Sequence, residues 1–160
     1  MTDDLFGNFK AMQVELPEVH IKKIINSFRK ATNNLAYLDI IEDKKSSYSI
    51  YNRGEFSFSM LLKSNYLGHY SFRVLDFSYG ISIYPVTFNV EGGIASELDI
   101  KESEDFSEEY IHICIDEKSV MELLRRIFSS PKFTKSVSGL MLLAERSVEK
   151  RKNFNSGPGM

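Results

Sequence analysis

A chain of 160 residues has room for one ordinary domain. Its 42% hydrophobic and 26% charged residues exclude wholesale disorder and collagen-like or mucin-like architectures. With 20 Lys+Arg against 22 Asp+Glu, the net charge of −2 supplies no global field to hold the protein on nucleic acid or an anionic membrane, so neither is expected as a partner.

No apolar run approaches the roughly 18 residues of a membrane-spanning helix. The opening MTDDLFGNFK lacks the basic start and apolar stretch of a secretory signal. Cys114 is the only cysteine, which rules out an intrachain disulfide and any zinc site built on two cysteines. An unpaired thiol suits a reducing compartment, so a cytoplasmic location is expected. Abundant Lys, Asn, Ser, Ile and Tyr without Trp fit an AT-rich bacterial genome.

Residues 1–16 read as an N-terminal arm in which Phe6, Phe9 and Met12 mix with polar residues. Residues 17–150 are the single folded domain, and 151–160 a flexible polar tail. The first helix is predicted from Pro17 to Asn34. Pro17 suits a first turn, and Ile21, Ile24, Ile25, Phe28, Ala31 and Leu35 recur at helical spacing. Strand character follows. Ala36–Ile41 is a short apolar strand, EDKKSS a turn, and Tyr48–Tyr51 leads through Asn52-Arg53-Gly54, a hairpin signal. Phe56, Phe58, Met60 and Leu62 then alternate with Glu55, Ser57, Ser59 and Lys63 against Leu61, the exception. This is the clearest two-residue period in the chain, and it predicts an antiparallel strand with one solvated face. Tyr70, Phe72 and Val74 alternate with Ser71 and Arg73 in the next strand. DFSYG is predicted to turn the chain at Gly80, and Ile81–Val90 to form another strand. There Pro85, unable to donate a ladder bond, marks an edge or a bulge.

Residues 91–109 hold Gly92-Gly93 and an acidic cluster and read as a loop, with short pairing around Leu98–Ile100. Tyr110–Ile115 is the final strand. Asp116 caps a helix from Glu117 to Phe128. Ser130-Pro131 breaks the chain and starts a second helix, with its stripe at Phe133, Val137, Leu140, Met141, Ala144 and Val148, ending near Lys150. Strands and helices are segregated, so the fold class is α+β. We expect an N-terminal helix, a five- to six-stranded mainly antiparallel sheet, and two C-terminal helices packed on one sheet face.

Catalytic motifs are missing. The chain has no phosphate-binding glycine loop, no GxSxG elbow and no calcium-loop spacing. His112 and Cys114 stand two apart in one strand and so share a face. They could form a thiol–imidazole pair, but their Ile-rich flanks favour plain core residues. His20 and His69 are lone histidines, weak evidence for chemistry. No catalytic, cofactor-binding or metal-ligating residue is assigned, and no cofactor is expected.

Charge is unevenly placed. Residues 1–90 carry 10 basic and 9 acidic side chains, residues 91–128 carry 4 and 11, and residues 129–160 carry 6 and 2. The basic end, with Arg146, Lys150, Arg151 and Lys152, complements a helix dipole. The acidic zone, with Glu102, Glu104, Asp105, Glu108 and Glu109, reads as a solvated loop or as a docking surface for a basic protein. Tyr37, Tyr48, Tyr51, Tyr66, Tyr70, Tyr79 and Tyr84 fall in or beside the strands. That is a binding platform or ordinary β-propensity, with too few interleaved cations for base stacking.

The function expected from these features is a non-enzymatic protein-binding module. By class analogy it is an immunity- or antitoxin-like protein that neutralises a partner through Glu102, Glu104, Asp105, Glu108, Glu109 and Tyr84. A secretion-chaperone-like role is one alternative. A second is a small-molecule-binding or catalytic domain with a pocket between sheet and first helix that draws on Tyr84, Arg73 and His69. Self-association as a homodimer, through an exposed strand ending near Pro85, is a third.

Overall fold

Pro17 opens the first helix because a first-turn residue needs no backbone N–H. The computed structural model describes residues 5–43 and 55–155. In it, α1 spans Pro17–Ile25 and buries Ile21 completely, with Ile24 and Ile25 packed beside it. The helix expected to reach Asn34 is divided there. A turn at Asn26-Ser27 separates α1 from a short α2, Phe28–Ala31. The Asn26 N–H reaches only three residues back, to the Lys23 carbonyl, so the regular ladder lapses at two residues whose side chains compete for backbone bonds. Asn33 and Asn34 then take left-handed φ of 55° and 64°, ending the helical region where expected. The Thr32 hydroxyl secures the reversal. It donates to the Ala36 carbonyl at 2.8 Å and accepts from the Ala36 N–H at 3.2 Å.

Among the described residues five strands follow as an antiparallel meander, each paired with its neighbours in sequence: β1 (Tyr37–Glu42), β2 (Phe56–Lys63), β3 (Ser71–Tyr79), β4 (Val86–Val90) and β5 (Ile111–Cys114). The predicted strand Tyr48–Tyr51 and the Asn52–Gly54 hairpin lie outside the described residues. Phe58 faces Phe77, which faces Phe88; the first two rings stack at 5.1 Å between centroids and the second pair meets tilted at 5.7 Å.

Between residues 75 and 97, three predicted boundaries differ in the structure. The DFSYG segment is the second half of β3 rather than a turn, because β3 carries a bulge. Met60 pairs with Leu75 and Leu61 with Arg73, so Val74 is an extra residue. Val74 and Leu75 are both fully buried, and the two-residue alternation changes phase between them. Second, Ile81–Pro85 is a turn, and β4 begins only at Val86. β4 lies between β3 and β5, so Pro85 stands outside the ladder and marks no edge; among the described residues the edges are β1 and β5. Third, residues 92–97 are a helix, α3 (Gly92–Glu97), instead of loop. The Glu91 carboxylate caps it by accepting from the Ile94 N–H at 2.9 Å, and Ile94 and Ala95 are fully buried. The glycine at 92 answers a close approach rather than a turn: a Cβ there would lie 3.1 Å from the Tyr110 ring. Pairing occurs not at Leu98–Ile100 but between Glu102 and Tyr110.

Asp116 caps α4 (Glu117–Ser129) as expected. Its carboxylate accepts from the Ser119 N–H at 2.8 Å, and its own N–H donates to the Ser119 hydroxyl at 3.1 Å. Pro131 opens α5 (Pro131–Asn155), which runs five residues past the predicted end at Lys150. Helix residues Ile21, Ile94, Val120, Leu124 and Phe133 share one apolar core with Phe58, Met60, Leu62, Leu75, Phe77 and Phe88 of the sheet's inner face. The arrangement is therefore α+β, with an N-terminal helix, a five-stranded antiparallel sheet and two C-terminal helices. No described helix is long and apolar enough to cross a membrane.

Leu124 is fully buried in this core. Leu124→Ala is expected to lower the unfolding free energy by about 2–5 kcal/mol, through lost burial and a residual cavity, as measured by urea denaturation.

Candidate functional site

The bulge at Val74 decides what the outer sheet face presents. In an unbroken strand, residues three apart point to opposite faces. With Val74 inserted, Arg73 and Asp76 come to the same face, and the Arg73 guanidinium donates to the Asp76 carboxylate at 3.0 Å. Asp76 also accepts from the Ser59 hydroxyl at 2.6 Å on β2. Arg73 reaches the Asn89 carbonyl on β4 at 3.3 Å. The Asn89 side chain accepts from the Tyr110 N–H at 3.0 Å and donates to the Glu109 carboxylate at 3.5 Å. Nearer β1, Lys63 pairs with Asp39 at 3.1 Å. A bonded polar row thus crosses β2, β3 and β4 and ends at the loop that enters β5.

That loop is the acidic segment, and its backbone is tied down at several points. Ser103 N–H donates to the Glu109 carbonyl at 2.6 Å, and Glu108 N–H to the Glu102 carboxylate at 2.6 Å. Asp105 and Phe106 N–H groups bond to the Ser103 hydroxyl. Glu108 takes a φ of 65°. Glu102, Glu104, Asp105 and Glu108 are exposed. Glu109 departs from the expectation of a solvated acid: it is 2% exposed, turned inward to the Asn89 amide. The exposed group is therefore four carboxylates rather than five.

Tyr84 does not join them. It precedes β4, whereas the acidic loop lies past the other end of that strand, where Asn89 pairs with Ile111. Tyr84 is half-buried, and its hydroxyl is enclosed without a hydrogen-bond partner among the described residues. Burial, with Glu117 and Asp116 nearby, pushes that hydroxyl up to about 12.

Among the described residues the tyrosines form no platform on the sheet. Tyr37 belongs to the outer face by register, opposite Lys63. Tyr79 is buried against the core, its hydroxyl donating to the Glu18 carboxylate at 2.7 Å, and burial and that carboxylate raise its pKa. Tyr66 and Tyr70 lie between β2 and β3, and Tyr48 and Tyr51 fall outside the described residues. A pocket drawing on Tyr84, Arg73 and His69 is likewise not assembled. Arg73 is on the outer face, His69 is exposed between β2 and β3, and Tyr84 is beyond the far end of β4. A cleft of about 300 Å³ does lie between the first helix and the sheet, but at the β1 edge and among other residues. Lys22, Ile25, Asn26 and Arg29 form one wall and Tyr37, Leu38, Asp39 and Ile40 the other.

His112 and Cys114 share the inner face, paired with Phe88 and Val86. Cys114 is fully buried. Burial pushes its thiol up to about 11, so the nucleophilic thiolate is scarce near neutrality. Burial, aided by the Arg126 charge, lowers the His112 pKa. Among the described residues no group of three or more His, Cys, Asp or Glu is placed to hold a metal ion.

Two titration outcomes follow. Cys114 is expected to react with a disulfide reagent at pH 8 far more slowly in the native protein than in denaturant, read as thiol absorbance. Its raised folded pKa also means that the native state holds the proton more tightly. Stability from this group is full below its ordinary value of 9.0 and is lost as pH rises towards about 11. Cys114→Ala should flatten that alkaline fall in urea-derived stability. No protein-family model, curated protein or solved structure matches this chain.

Proposed function

We propose that the protein is a non-enzymatic protein-binding module that engages a basic partner, in the manner of an immunity or antitoxin-like neutraliser. The observation that supports this reading most directly is the asymmetry of the sheet. The helices place their buried residues against the inner face. The outer face carries a bonded polar row leading to the exposed carboxylates of Glu102, Glu104, Asp105 and Glu108.

The physical logic lies in preorganisation and field. Side chains already held by Ser59, Asp76, Arg73 and Asn89 lose little freedom when a partner lands on them. Four carboxylates on a tied loop steer a cationic partner and accelerate encounter, more than they add to final affinity. On the inner face, Cys114 is set up as a packing residue, its thiol held protonated by burial.

Capture from the host on immobilised protein, followed by titration with the purified captured protein, tests the reading. A basic partner is expected, with affinity that falls as salt rises. Replacing Glu104, Asp105 and Glu108 together by Lys, with Glu102 kept because its carboxylate holds the loop backbone, should slow association by about tenfold or more while leaving the melting temperature within a few degrees. Unchanged association, or a partner held equally at high salt, would overturn the assignment of this surface.

A further inference from the structure

We infer that the β1 edge is a second recognition site, which takes an extended acidic peptide from a partner protein as an added strand. β1 is the first strand of the sheet order and pairs only with β2 among the described residues, so one row of its backbone N–H and C=O groups faces outward. An edge of this kind is a template for a further strand. A cleft lies beside this edge, between β1 and the first helix. Ile25, Leu38 and Ile40, all half-buried, give it an apolar floor. Lys22 and Arg29 give the helical wall two cations.

Those cations are available. Lys23, next in sequence, is ion-paired with Glu15, but Lys22 has no ion-pair partner among the described residues. Arg29 lies over the Tyr37 ring, 4.4 Å from its centroid, which fixes the guanidinium by one face and leaves its in-plane N–H groups for a carboxylate. The single carboxylate in the lining, Asp39, is paired with Lys63. The cleft is therefore net positive beside an open strand edge, in a protein whose overall charge is negative. A bound strand would place alternate side chains towards the helical wall, so a ligand alternating acidic and other residues meets both the cations and the apolar floor. The site is separate in residues and in sign of charge from the acidic loop at the β5 side.

Selection of a randomised library of about nine-residue peptides, a typical strand length or slightly more, on the immobilised full chain tests this. Enriched peptides should carry Asp or Glu at alternate positions, bind more weakly as salt rises, and slow amide hydrogen exchange across residues 37–42. Lys22→Glu should weaken their binding by about tenfold, and Lys22→Glu with Arg29→Glu by more. The single variant guards against any structural effect of losing the Arg29–Tyr37 stack. Charge reversal of the acidic loop should leave peptide binding unchanged, so this site and the one proposed above fail independently. Enrichment of no acidic peptide, binding without protection of residues 37–42, or displacement of the peptide by a single-stranded oligonucleotide at lower concentration would each overturn the inference.

Discussion

The extra residue that β3 carries at Val74 governs which side chains of the sheet meet the helices and which meet solvent. Before it, Phe72 points to the inner face with Leu62; after it, Leu75, Phe77 and Tyr79 do so with Met60, Phe58 and Phe56. Without the insertion one half of β3 would turn its apolar residues outward, since a one-residue slip exchanges the faces of a strand. Both Val74 and Leu75 are fully buried, so the bulge is held by apolar burial on each side of the phase change. The same insertion delivers Arg73 and Asp76 to one face, where their charge-assisted bond anchors the outer polar row. One local irregularity thus sets both the core and the candidate recognition face.

The acidic segment is shaped by a similar division of labour. Its sequence suggests a uniform solvated run, but Glu109 is drawn in by the Asn89 amide, and Glu102 is held by the Glu108 backbone. Ahead of it, Gly92-Gly93 begins a helix that buries Ile94 and Ala95, and a side chain at 92 would crowd the Tyr110 ring. The remaining four carboxylates project from a backbone bonded at several points. This is the condition under which a charged loop presents a fixed field rather than a diffuse one.

The two edges of the sheet differ in character. β5 is short and carries Ile113 at 52% exposure, and α4 leaves it through the Asp116 cap. β1 is flanked by a cationic helical wall and an apolar floor. The acidic loop and the cationic cleft therefore sit at opposite sides of the sheet, and the small net charge of the chain conceals two local fields of opposite sign. Neither field is visible in a total; each depends on which residues the fold gathers.

Wherever a local period or a stop signal acts alone, the sequence by itself determined the outcome. The Pro17 and Pro131 starts, the Asp116 cap, the alternation from Phe56 to Leu62 and the α+β segregation all follow from short-range backbone chemistry and amphipathic spacing. Only the tertiary structure decided the bulge at Val74, the interior place of β4 behind Pro85, the inward turn of Glu109 and the separation of Tyr84 from the acidic loop. Each of these rests on a contact between residues distant in the chain, such as Met60 with Leu75 or Asn89 with Glu109. Such pairings leave no period in the sequence, because the free energy that selects them comes from burial and hydrogen bonding that exist only once the strands are side by side.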